Sequence, residues 1–378
     1  TIIPNLIKEM GLTHELSPCS GFIEFGDKTK ITVIHSQKPW QLFSKKIISL
    51  PSLLRLGFNQ FKLFKLDKNK YLLNDITSWV KFDTDNAEEW SKKYFGSEIA
   101  EKLTSTIING FYFQSLKDSS GAFTAAALGF SAHNPQTITI NSGMGALPQQ
   151  LAHRLNVLTK TTAQKIIEKK DDIKVITDNG EFFADHVIVA VPAPIAKMII
   201  QDPDTLSQKL LNTNYCSSVL ISLLIKDEWK PPAKLKSVYG IIYRPEEDNK
   251  IAAVTIENNK SSKRKKQGFL INIMLTDAFT KKISALSTDD IYHEIEQEIE
   301  IIFPKINQHI YLSKTFKWQH AMPYTPVGRP TAVKNYRDTR SRNNRLWLAG
   351  DYLGLPWTDS AAQTGIWAAN QILNKTRS

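Results

Sequence analysis

The sequence predicts an α/β fold in which a mostly parallel sheet core, contributed by separated stretches of chain, is interleaved with a second, α+β domain. Three observations predict it. Ala184-Asp-His-Val-Ile-Val-Ala-Val-Pro192 is a continuous apolar run, as expected of a strand covered on both faces. Arg345-Leu-Trp-Leu-Ala-Gly-Asp351 is a second short apolar strand, and it stops at Gly-Asp before a helix rich in small residues. Between these two lies a long mixed stretch of strands and helices, which reads as a domain inserted into the first.

The chain is long enough for this: 378 residues, 42% of them hydrophobic, supply an ample core. Its formal charge is +11, from 48 Lys+Arg against 37 Asp+Glu. Most of the positive charge is scattered as single lysines, a pattern of general surface charge. The dense run Lys263-Arg264-Lys265-Lys266 reads as a solvated hairpin loop, and without interleaved aromatics it argues against nucleic acid as a partner. Two distant cysteines, Cys19 and Cys216, show no CxxC spacing, which sets the expectation of a reducing, cytoplasmic setting and no metal site. The longest apolar run, Val187 to Ile200, falls far short of the ~20 residues that span a bilayer. Thr1 to Gly11 reads as a helix already under way that ends at a glycine C-cap, so the expectation is a fragment or processed product.

From residue 1 to about 140 the pattern is mainly helical behind two short strands, Gly21–Phe25 and Thr29–Ile34. In Trp40–Phe64 apolar residues recur at helical spacing on both sides of Pro51. Its mixture of Leu, Phe, Lys and Arg suits a peripheral membrane contact, and it equally suits an ordinary amphipathic core helix. Residues 141–205 form one part of the α/β core. Gly143-Met-Gly145 feeds an amphipathic helix carrying Leu147, Leu151 and Leu155, and strands follow at Ala163–Ile167, Ile173–Thr177 and His186–Ala190. Residues 206–335 form the mixed domain, with strands at Ser217–Ile225, Ile251–Ile256 and Phe269–Leu275 and one helix from Thr288 to Phe303. Residues 336–378 return to the core.

The chemistry concentrates in that last stretch. A strand ending at Gly350-Asp351 lets backbone approach a ligand closely while the carboxylate accepts from a hydroxyl. Thr358-Asp359-Ser360-Ala361 then opens a helix whose free N–H groups and partial positive charge suit an electron-rich edge of a ligand. An ordinary C-terminal helix docked on a strand would look the same.

Three co-ordered segments together resemble the flavin-containing amine oxidase superfamily, which includes protoporphyrinogen oxidases and carotenoid-type desaturases. They are the Gly143–Leu155 turn and helix, the Ala184–Pro192 strand, and Ala349-Gly-Asp351 followed by Ala361-Ala362, Gly365 and Ala368-Ala369. The resemblance implies an FAD-binding, Rossmann-like core interleaved with a substrate domain, FAD as cofactor and a small-molecule substrate. It implies that Ala163, where the family has a Val-x-x-Ile strand beside the adenine, and Pro192 belong to the cofactor site. Gly350 and Asp351 would meet the ribityl or pyrophosphate region, and Asp359, Ser360 and Ala361 the pyrimidine edge of the flavin. Trp357 falls near the family's aromatic wall toward substrate, with packing beneath the helix start as its other reading. His320 is either a substrate contact or a hydrogen-bonded packing residue. Lys317 lies near the segment where the family commonly has a lysine holding water.

One departure stands out: no GxGxxG turn occurs, since Gly21…Gly26, Gly121…Gly129 and Gly143…Gly145 all have the wrong spacing. The core is therefore expected to be incomplete by at least the ~30 residues of a βαβ unit, and this chain alone to bind FAD poorly. No catalytic triad or paired carboxylates appear, and no catalytic side chain is assigned. The expected activity is oxidation of a CH–NH or CH–CH bond by hydride transfer to flavin. A protoporphyrinogen oxidase or desaturase, and a non-catalytic, flavin-free binding protein, are the alternatives.

Overall fold

The computed structural model describes residues 2–19, 22–26, 31–65, 74–132, 137–246, 249–261, 263, 268–340 and 344–376. Its largest sheet has seven strands, and its alternating sequences explain its two faces. β9 (Tyr215–Ile225) turns Val219, Ile221, Leu223 and Ile225 to a buried side. There they pack on Ile291, Ile299 and Ile302 from the helices Thr288–His293 and Glu296–Ile302, and on Ile295 and Phe303, which flank the second. These are two helices where one was expected. The apolar spacing runs on through the break, but Ile295 leaves helical geometry at φ −123°, ψ 0°.

The other strands of this sheet are β2 (Phe22–Gly26), β3 (Ile31–His35), β10 (Val238–Tyr243), β11 (Ile251–Ile256), β12 (Phe269–Leu275) and β13 (Ile310–Pro323). Their spatial order is β13-β9-β12-β11-β10-β2-β3, antiparallel throughout except that β2 runs parallel to β10. The β2–β3 hairpin from the front of the chain thus completes a sheet otherwise made by residues 215–323. The expected strand at Thr29–Ile34 is observed from Ile31 onward, its first residues lying outside the described set, as does the basic run at 263–266 apart from Lys263.

The α/β core is smaller. β8 (Val187–Val189) and β14 (Leu346–Leu348) pair in parallel; β14 is buried throughout, whereas Ile188 of β8 is exposed, so that strand is covered on one face and not on both as expected. β5 (Ala163–Glu168), β6 (Ile173–Thr177) and β7 (Gly180–Ala184) form an antiparallel meander, β7 being an addition to the expected strands. A further antiparallel pair joins β1 (Leu16–Pro18) to β4 (Ile138–Ile140).

Helices of the front half pack into the same apolar core as β8 and β14. The Ala87–Phe95 helix begins at an Asn86 N-cap whose side chain accepts from Glu89 N, with Glu88 and Glu89 early and Lys92 and Lys93 late, matching the helix dipole. Against it lies the Gly121–Ala132 helix, buried along most of its length, and a Cβ at Gly121 would come within 2.7 Å of the Trp90 ring.

Two buried polar ties lock this helical layer to the Arg329–Thr339 helix. Asp83 accepts from Ser120 Oγ (2.7 Å), Gly328 N (2.9 Å), Thr331 N (3.0 Å) and Thr331 Oγ1 (2.6 Å). Arg337 pairs with Asp75 at 2.8 Å and also donates to Leu353 O and Gln363 Oε1. Among the described residues no helix is long and apolar enough to cross a membrane.

Candidate active site

β14 delivers its end, Gly350-Asp351, to the junction of the core, the seven-stranded sheet and the helical layer. Gly350 has φ +141°, where an L side chain is strained, and a Cβ there would lie 2.9 Å from the Tyr352 ring. The backbone is held in that shape by Thr364 Oγ1, which accepts from Gly350 N at 2.8 Å.

Tyr215, the first residue of β9, is the hinge of the junction. Its hydroxyl donates to Asp351 Oδ1 at 3.2 Å and accepts from Ala193 N at 3.3 Å, the residue after Pro192. Burial, with the neighbouring Asp351 charge, raises the phenol well above its ordinary value, so it stays a proton donor. His320 sits against it, ring centroids 5.5 Å apart. A register shift in β13 between Trp318 and Met322 surrounds His320, the kind of irregularity that re-aims a side chain.

Arg329 completes the polar part. It is buried, donates to Leu210 O at 3.1 Å, and is drawn down to about 10 by burial. Its Nε and the Tyr352 hydroxyl are both buried with no partner among the described residues. Buried polar atoms are normally satisfied. Orphaned donors beside a carboxylate and a glycine-permitted close approach fit a polar, hydroxyl-bearing cofactor segment. In that role Gly350 and Asp351 would hold the group, with Arg329 and Tyr352 donating to it.

Asp351 itself lies above the ordinary carboxylate value, chiefly because burial penalises its charge, with the Tyr215 hydrogen bond and Arg329 opposing. A native value above the unfolded 3.8 means the folded state holds the proton more tightly between the two. The stability due to this group is full below the unfolded value and is lost as pH rises through the folded one. Flavin-free D351N should therefore melt higher than the parent at neutral pH, with the gap closing in acid. A lower melting point at neutral pH would show that the carboxylate's hydrogen bonds outweigh its burial.

The structure gathers Pro192, Asp351 and His320 around Tyr215, a residue with no motif to mark it; the only sequence signal is an aromatic opening the strand that leaves the core. Trp357 is half-buried, its ring centroid 6.1 Å from Tyr112 and 6.3 Å from Phe130, so it forms an aromatic wall with the helical layer. Ser360 is fully buried, donates to Asn74 O and accepts from Leu355 N, so its hydroxyl is spent on the loop. Asp359 accepts from Ile3 N at 2.7 Å, anchoring the N-terminal helix Ile2–Glu9, while its other oxygen is buried with no partner among the described residues. Ala361 lies in the first turn of the Thr358–Thr376 helix, its N–H donating to Trp357 O. Ala163 pairs with Thr177 in the meander, in a different sheet from the Gly350 strand end. Lys317 is exposed and donates to Ser284 O and Leu286 O.

A parallel strand pair ending in a glycine-permitted approach, a half-buried carboxylate and a cluster of aromatic rings beside the helical layer fit a cofactor-dependent oxidoreductase of the flavin-binding class. The chain belongs to the flavin-containing amine oxidoreductases, whose family profile matches residues 1–373. It is an FAD-dependent oxidoreductase with a flavin cofactor, FAD being the typical form.

Solved structures agree on the fold. A structure assigned as protoporphyrinogen oxidase from Exiguobacterium sp. 255-15 superposes with TM-score 0.73 at 15% identity, covering 98% of this chain and 85% of the other. Cyclohexylamine oxidase from Brevibacterium oxydans IH-35A gives 0.73 at 13% identity, covering 100% and 86%. Reduced UDP-galactopyranose mutase gives 0.67 at 11% identity, covering 99% and 84%. Comparison with curated proteins finds no significant match.

Proposed function

We propose that this enzyme oxidises a CH–NH or CH–CH bond of a small, largely apolar substrate, in a cytoplasmic setting. The observation that carries this reading is the Trp357–Tyr112–Phe130 wall, whose Trp357 lies six residues beyond the Gly350-Asp351 strand end. When bound, a flavin supplies the hydride acceptor, which leaves the protein to position the reacting bond and exclude water. Trp357 and Tyr112 present aromatic faces against which an apolar substrate packs. Tyr215, kept protonated by burial, fixes the Asp351 carboxylate and ties it to the Pro192 turn. His320 stands at the edge of that cluster, where a substrate arriving from the sheet side would meet it.

A second reading, oxidation of a porphyrinogen or a carotenoid-type chain, draws support from a separate observation. The exposed apolar surface of Trp40–Phe61 continues into a π turn over Phe61–Lys65, which packs on the Gly121–Ala132 helix that carries Phe130. An apolar surface would thus lead toward the aromatic wall.

Protein incubated with FAD and mixed anaerobically with a panel of amines and a porphyrinogen separates these readings by which compound bleaches the flavin band near ~450 nm. W357A should then lower kcat/KM for that compound by about tenfold or more, the scale of losing one aromatic contact in an apolar site. Failure of every member of the panel to bleach flavin that the protein has bound would overturn the proposal, and a folded full-length protein that stays colourless with FAD would favour a flavin-free binding role.

A further inference from the structure

The Leu50–Gln60 helix is apolar on two opposite faces. Leu53 and Leu56 turn into the core, whereas Leu50, Leu54, Phe58 and Phe61 recur at i, i+4, i+8 and i+11 on the solvent side. These four are among the chain's more exposed large apolar residues, Leu54 at 66% and Phe58 at 67%, and Trp40 (57%) and Phe43 (43%) extend the exposure into the preceding segment. A patch of this kind marks an interaction site rather than scattered surface apolars.

Charge says what covers it. Between Asp27 and Asp67 the sequence holds no Asp or Glu and eight Lys/Arg, from Lys28 to Lys65. Lys45, Lys46 and Lys62 are exposed around the apolar face. Arg55, by contrast, is occupied with the Tyr94 and Lys93 carbonyls at the end of the neighbouring helix. The acid that touches this segment, Glu98, is held by Ser49 and Lys102. A second copy of this chain would bring like charges together over the same face. Among the described residues, an apolar face with the free cations Lys45, Lys46 and Lys62 around it, and its one touching acid, Glu98, already paired, fits an anionic bilayer, whose acyl boundary takes the rings and whose headgroups meet the lysines.

We propose that this face, Trp40 to Phe61, seats the enzyme on anionic lipid without spanning the bilayer. The proposal does not depend on which substrate the active site takes.

Co-sedimentation of the full chain with phosphatidylcholine vesicles containing phosphatidylglycerol tests it. Binding to the mixed vesicles should exceed that to phosphatidylcholine alone and fall with added salt. L54E/F58E, checked for folding by circular dichroism, should weaken it by at least about tenfold, and K45E/K46E should weaken it less. A second measurement does not disturb the face: lipids brominated in the acyl chain should quench tryptophan emission in the parent, and quench it markedly less in W40F. Absence of binding to either vesicle, undiminished binding of L54E/F58E, or quenching unchanged in W40F would each overturn the proposal. So would a vesicle-free dimer that the same double substitution splits, which would make the face an interface between copies.

Discussion

D83A is expected to destabilise the protein by about 3–5 kcal/mol, among the larger effects a single side chain can have. The carboxylate is buried and collects four hydrogen bonds, from Ser120 Oγ, Gly328 N, Thr331 N and Thr331 Oγ1. Each donor is worth little net while paired, because folding exchanges it for water. Truncation changes the balance: it leaves donors stranded where water does not reach and removes the N-terminal cap of the Arg329–Thr339 helix. D83N keeps one acceptor oxygen but turns an amide donor toward other donors, so it should recover only a minor part. Thermal unfolding followed by circular dichroism should show a fall of about 5–10 °C for D83A, and little change for D118A, whose carboxylate is exposed. Equal melting points for D83A and the parent would mean that the four contacts do not persist in solution.

The second large effect falls on the cofactor. D351A should weaken flavin binding by about tenfold to a hundredfold, the range for losing a charged hydrogen-bond partner. G350V should do at least as much by a different route. Its backbone must sit at φ +141°, and its Cβ would lie 2.9 Å from the Tyr352 ring, so the close approach is blocked by shape rather than chemistry. Titration of flavin fluorescence reads both. Because removing the charge at Asp351 is also expected to raise flavin-free stability, D351N separates the two roles: tighter fold, weaker cofactor. An unchanged dissociation constant in all three variants would place the cofactor contact elsewhere in the chain.

Sequence reasoning worked where one strand faces one environment. β9, β11 and β12 were legible because buried and half-buried positions alternate, or because an apolar run is covered on both sides. β13 was not, since its apolar alternation, Ile310, Leu312, Phe316 and Trp318, is broken by Lys314 and Tyr311 and beyond Ile310 lies exposed instead of against a core. The same limit hid the role of the front hairpin, whose strands are locally plain but whose partner β10 lies far along the chain. In the candidate site, the strand end at Gly350 and Asp351 was legible from the abrupt stop of an apolar run. Tyr215, Arg329 and Asp83 act through contacts between distant segments, and no local pattern announces them. Ser360 shows the converse: a good cap residue by type, whose hydroxyl accepts from Leu355 N in the loop before it and donates to the distant Asn74 O.

The parallel pairing of β2 with β10 has a consequence for synthesis. Phe22 is registered with Val238, 216 positions later. At ~5–20 residues per second a ribosome takes roughly 10–40 s to make that intervening length. Throughout that interval the hairpin waits with one edge open, as a template that any passing strand can join. The yield of active enzyme should therefore respond to translation speed and to chaperones that shield nascent chains. Shortening that delay, for instance in a chain rearranged so that the hairpin segment is encoded next to β10, should improve recovery.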